Sequence, residues 1–137
     1  MYKIDKRASG YVLTFAGNID SKEMDQWHKD SQKILETEDR SSFGVIINMK
    51  DLLPLSNDTT GIMISGQKLY KDKGMLRSAV ILNNGELTSQ FKNLAIQSGI
   101  FVTERYVDAS INANPVDTAI AWVKDSLDPD KAAAVLV

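Results

Sequence analysis

The sequence predicts an α/β domain: an N-terminal β-hairpin, then alternating helices and strands that build a mixed, mostly parallel sheet of about five strands with about four covering helices. Three observations predict it. The first residues alternate on either side of a turn signal, as a hairpin does. Two later apolar runs, Val45-Ile46-Ile47 and Ala79-Val80-Ile81-Leu82, are continuous, as in strands buried on both faces. The segments between them repeat their apolar residues at helical spacing.

In the hairpin, Tyr2-Lys3-Ile4 alternates, Ala8-Ser9-Gly10 supplies the turn, and Tyr11 to Ala16 alternates again with Tyr11, Leu13 and Phe15 on one side. Asn18 and Asp20-Ser21 offer caps for a helix whose first turn carries Glu23 and Asp25, acids that the helix dipole favours. Met24, Trp27, His28, Ser31, Ile34 and Leu35 form its inward stripe, giving a helix from Ser21 to Thr37. A polar loop at 38–42 leads into a buried strand, Phe43 to Met49, whose exit from Lys50 to Pro54 reads as a loop.

A second helix is expected from about Asp58 to Lys73, with Ser56 or Asp58 as cap and Gly74 at the position after the C-cap. Ile62, Ser65, Gly66, Leu69 and Tyr70 form its stripe, and the small residues there imply close approach to the sheet. Met75 to Leu82 is the next strand. Asn83-Asn84-Gly85 turns the chain into a third helix with Leu87, Phe91, Leu94 and Ala95 inward, closed by Gly99. Glu104 to Val107 reads as a short edge strand. Asn114 caps a fourth helix with Pro115 at its first position and Val116, Ala119, Ile120, Val123 and Leu127 as its stripe. The single domain then spans 1–127 with a C-terminal tail at 128–137, in which Asp128-Pro129-Asp130 precedes a small apolar stretch from Lys131 to Val137, either a frayed helical turn or disordered.

Composition narrows the function. Of 137 residues, 43% are apolar and 25% charged, ordinary values for a folded domain. The absence of cysteine excludes disulfides, thiolate catalysis and Cys-ligated zinc. Sixteen basic residues against eighteen acidic ones, with no basic run, leave no footprint for nucleic acid. Met1 to Arg7 is charged from the third residue and lacks the apolar core of a signal peptide; no run is long enough for a membrane span. The expected location is the cytoplasm.

Chemistry is sparsely equipped. His28 is the single histidine and reads as a packed, hydrogen-bonded helix residue, since metal sites recruit several ligands. No Gly-x-Ser-x-Gly elbow, Gly-x-Gly-x-x-Gly run or phosphate loop occurs. Neither catalytic residues, a cofactor nor a metal are therefore expected. The most specific segment is Ser56-Asn57-Asp58-Thr59-Thr60-Gly61, a helix start with two hydroxyls at the positive end of the dipole.

Several motifs together resemble a family. Gly17-Asn18-Ile19-Asp20, Val45-Ile46-Ile47-Asn48, Asp58-Thr59-Thr60-Gly61, Phe91-Lys92-Asn93-Leu94 with Ser98-Gly99-Ile100, and Tyr106-Val107-Asp108 are similar, in order, to motifs of the STAS domain of anti-sigma-factor antagonists and their SpoIIAA-like relatives. The resemblance covers roughly Tyr2 to Leu127. It implies a regulatory domain that binds a protein partner, with an anti-sigma serine kinase phosphorylating Thr59 and Asp58, Thr60 and Gly61 on the contact surface. The stretch from Lys50 to Asn57 is longer than that family's loop and contains Pro54, and both hydroxyl positions are threonine. Gln67 to Lys71, Arg77 to Val80 and Glu104 to Ala109 resemble a bacterial branch that does not clearly keep the phosphorylation motif and is also similar to lipid-carrier sheet folds.

That likeness defines a second expectation, a small apolar or lipid-like ligand. Asp51, Leu52, Leu53, Leu55 and Met63 near the carboxyl end of the central strand are candidate ligand or interface residues. Trp122 joins them because it falls off the apolar stripe of the last helix. A homodimer through Leu52 to Leu55 or Trp122 is a third expectation. Glu104 and Arg105 read as edge-strand charges, with Arg105 a candidate ligand contact.

Overall fold

The computed structural model describes residues 1–131, apart from the side chains of Leu94 and Ser98. The expected inward position of Leu94 and the tail beyond Lys131 lie outside the described residues. Strands β1 (Tyr2–Arg7) and β2 (Gly10–Gly17) form the hairpin, followed by α1 (Ser21–Glu36), β3 (Phe43–Leu52), α2 (Asn57–Lys73), β4 (Met75–Leu82), α3 (Gly85–Ser98), a 3-10 turn (Ile100–Val102), β5 (Glu104–Asp108) and α4 (Pro115–Asp125). The sheet runs β1-β2-β3-β4-β5, antiparallel at β1-β2 and parallel thereafter, so the expected α/β architecture is the observed one.

Strand order dictates where the helices go. Each parallel crossover steps to the next strand in the same direction, and crossovers are right-handed, so α1, α2 and α3 all land on one face. There the sheet offers Leu13, Phe15, Val45, Ile47, Val80 and Leu82. The opposite face, with Val12, Ile46, Ala79, Ile81 and Val107, is covered by α4. Five strands about 4.8 Å apart span roughly 19 Å, whereas three helices each about 10 Å wide need roughly 30 Å. The last of the three is therefore pushed towards the edge of the sheet. Leu87 and Phe91 of α3, expected in the core, are accordingly exposed.

Helix α1 follows its sequence closely. Asp20 accepts a hydrogen bond from the Glu23 N–H at 2.8 Å, and Met24, Trp27, Ser31 and Leu35 are buried. The Trp27 ring meets Phe15 edge-on at 5.1 Å and lies nearly parallel to Tyr70 at 6.3 Å. Gly66 on α2 faces that ring, and a Cβ built there would sit 2.1 Å from a Trp27 ring carbon. The close approach predicted for Gly66 thus occurs helix to helix, not helix to sheet. It also rotates α2: Thr59, Met63, Gly66 and Tyr70 are buried, while Ser65, expected inward, is exposed.

Four further expectations are corrected. Strand β3 does not end at Met49 but continues to Leu52, pairing Asp51 with Ala16 and Leu52 with Gly17, so Asp51 is a strand residue. In α4, Trp122 belongs to the core at 6% exposure, and its indole N–H donates to the Ser78 carbonyl at 2.9 Å. Leu127 is exposed because the helix stops at Asp125, with Ser126 left-handed behind it. Asn114 begins α4 without a side-chain capping bond.

Candidate functional site

The carboxyl ends of β3 and β4, where open α/β sheets usually bind ligands, frame an apolar cleft of about 470 Å3. Its origin is the helix arrangement above. Helices α1 and α2 pack closely, but α2 and α3 do not, and the gap between them opens over the sheet. Met49 and Leu52 come from β3, Leu53, Pro54 and Leu55 from the connection after it, and Met63 and Ile64 from α2. Leu82 ends β4, and Leu87 and Phe91 project from α3. Thr60, Gln67, Asn83, Asn84 and Lys50 supply polar groups.

A bulge shapes the floor. Thr14 pairs with Asn48 and Ala16 with Asp51, so β3 carries one residue more than β2 between these points. Adjacent residues in a regular strand point to opposite faces; a bulge breaks that alternation. Met49 and Lys50 accordingly both line the cleft. The wall from α3 is held by Phe91 stacking on Tyr106 at 6.1 Å and by the Asn84 side chain, which accepts from the Leu87 N–H at 2.8 Å.

The residues singled out from sequence divide into three groups. Leu52, Leu53, Leu55, Met63 and Thr60 meet at the cleft, whereas Asp51 does not line it. Asp58, Thr60 and Gly61 are exposed at the start of α2. Thr59 is not: it is 1% exposed, with its hydroxyl 2.9 Å from both the Ser56 and Ser21 hydroxyls. Its backbone N–H donates to the Ser56 capping oxygen at 3.1 Å. Thr59 therefore ties the starts of α1 and α2 together, and a phosphate there needs the two helices to part. Replacing Thr59 by valine keeps the shape and removes the hydroxyl pair; it should cost about 1–2 kcal/mol, read as a lower denaturant midpoint.

The third group lies across the sheet. Arg105 is not a free edge charge or a cleft residue. It pairs with Asp128 at 3.2 Å, donates to the Phe101 carbonyl, and packs its guanidinium over Trp122 at 4.3 Å. Glu104 accepts hydrogen bonds from Ser78 and Tyr106. Asp130 pairs with Lys92 of α3 at 2.9 Å, so the chain just after α4 is tied to both β5 and α3. His28 is half-buried rather than central, facing a shallow groove with Asp25, Asn57 and Asp58. Among the described residues no cluster of His, Asp and Glu has the arrangement to hold a metal ion.

Sequence reasoning missed Ile64, Leu82, Leu87, Phe91 and Lys50 as cleft residues. Ile64 carried a signal, an apolar side chain off the stripe of its helix. Leu87 and Phe91 carried none, because their spacing is that of ordinary core residues. The fold and the cleft define a class of molecule: an α/β domain with helices on both faces of its sheet and an apolar opening at the carboxyl edge. No known protein family matches the chain, and no curated protein matches it either. No helix among the described residues is long and apolar enough to cross a membrane.

Proposed function

We propose that the domain binds a small apolar molecule in the cleft between α2 and α3 and carries out no chemistry on it. One observation carries this reading: the exposed apolar side chains of Leu53 in the β3–α2 connection, Ile64 on α2, and Leu87 and Phe91 on α3 converge on one opening. A volume of about 470 Å3 falls within the range of small-molecule sites, which are mostly apolar with a few placed polar groups. Each methylene transferred from water contributes about 0.8 kcal/mol, so even a short chain binds measurably there.

Leu53 and Ile64 are exposed, so changing them leaves the core intact. The variant with Leu53→Glu and Ile64→Glu should bind the neutral dye Nile red at least tenfold more weakly than wild type, with an unchanged melting temperature. Equal dye affinity in the two proteins would refute the cleft as the binding site.

A second reading is favoured by the exposure of Asp58, Thr60 and Gly61 on the first turn of α2, beside the cleft. On this reading the chain is a STAS-like regulatory domain that binds a protein partner, and Thr60 is the hydroxyl a serine kinase reaches. After incubation with an anti-sigma-type serine kinase, intact mass and peptide mapping should place one phosphate on Thr60 and none on Thr59. An unmodified mass removes the switch.

A further inference from the structure

Lys50 gives the cleft a chemical polarity. Of the described residues that line it, Lys50 alone carries a formal charge. The bulge in β3 puts it there, beside Met49, where regular alternation would have sent it to the other face. Its backbone N–H donates to the Asn48 side chain at 3.2 Å, which holds the bulged segment in place. The ammonium is exposed and forms no ion pair among the described residues. The other polar groups of the cleft, Thr60, Gln67, Asn83 and Asn84, are neutral.

An unpaired cation beside an apolar opening discriminates among apolar molecules. A neutral ligand gains nothing from it, and a cationic one is repelled. A chain with an anionic end buries its methylenes against Met63, Leu82 and Phe91 and leaves its head in water next to the ammonium, where no desolvation is required. Resting on the cleft reading above, we infer that the ligand is a single-chain amphiphile with an anionic head, held at that head by Lys50. At the packing density of organic solids, about 470 Å3 accommodates on the order of a dozen carbons.

The test compares dodecanoate with dodecanol, both below their aggregation concentrations, by displacement of Nile red from the full chain at low ionic strength. Wild type should bind dodecanoate at least threefold more tightly than dodecanol, and added salt should shrink that preference because the head group is solvated. Lys50→Gln should bring the ratio of the two affinities to about one, while Lys50→Arg should keep it. Equal affinities in wild type, or a preference that survives in Lys50→Gln, overturns the role of Lys50 and leaves the apolar cleft standing. If neither compound displaces the dye, the cleft reading fails and this inference falls with it.

Discussion

Replacing Glu38 with glutamine should destabilise the domain by about 2–4 kcal/mol at neutral pH and remove much of its sensitivity to acid. The Glu38 side chain is fully enclosed at the amino-terminal end of the sheet. It is paired with Arg40, lies 3.2 Å from the Lys6 ammonium, and accepts a 2.8 Å hydrogen bond from the Tyr11 hydroxyl. Arg40 in turn donates to the carbonyls of Arg7 and Ala8 at 2.7 and 2.8 Å, so the pair fastens the hairpin turn to the loop before β3. Removing the carboxylate leaves Arg40 uncompensated. The cost falls towards the lower end of the range for buried pairs, because Arg40 keeps some contact with water.

The hydrogen bond from Arg40, more than the opposing cost of burial, lowers the Glu38 pKa from 4.5 to about 2. A folded pKa below the unfolded one means that the unfolded state binds the proton more readily. The stabilisation is complete above about pH 4.5 and is lost as pH falls towards 2. Denaturant midpoints measured from pH 7 down to pH 2 should therefore converge for wild type and Glu38→Gln. A gap that stays constant across this interval would show that the carboxylate charge contributes nothing.

Gly66→Val should be the other severe substitution, destabilising by about 3 kcal/mol or more despite valine's better backbone entropy in a helix. Its Cβ would enter the Trp27 ring at 2.1 and 2.4 Å, and that ring has no room to retreat between Phe15 and Tyr70. Either α2 lifts from α1 or Trp27 leaves its site. Met63 lies one turn earlier on the same helix, so a displaced α2 should also lower dye affinity in the cleft. Trp27→Leu in the same chain should recover part of the lost stability, since the two changes act on one contact. Additive losses in the double variant would show that the contact is not the cause.

Much of the architecture could be read before the structure, and the parts that could not share a physical reason. Strands β3 and β4 announced themselves by continuous apolar runs, and α1 by capping residues at Asn18 and Asp20-Ser21 and an apolar stripe between Met24 and Leu35. These are local properties. The rotation of α2 depends on which neighbour Gly66 meets, and the extension of β3 depends on a bulge whose extra residue is defined only against β2. Trp122 looked like a surface aromatic because its core position requires the Ser78 carbonyl of β4 to receive its N–H. One side of the cleft was visible in Leu52, Leu53, Leu55 and Met63. The α3 wall, Leu87 and Phe91, follows from the width of three helices set against five strands, a quantity no stretch of sequence contains.

Entry of an apolar ligand between α2 and α3 can be read directly at the chain's five methionines. Met49 and Met63 line the cleft, whereas Met1, Met24 and Met75 do not. In protein labelled with 13C at the methionine methyl groups, titration with dodecanoate should shift the Met49 and Met63 signals together, saturably, and leave Met24 and Met75 in place. Shifts confined to Met24 or Met75, or no saturable shift at either cleft methionine, would contradict it.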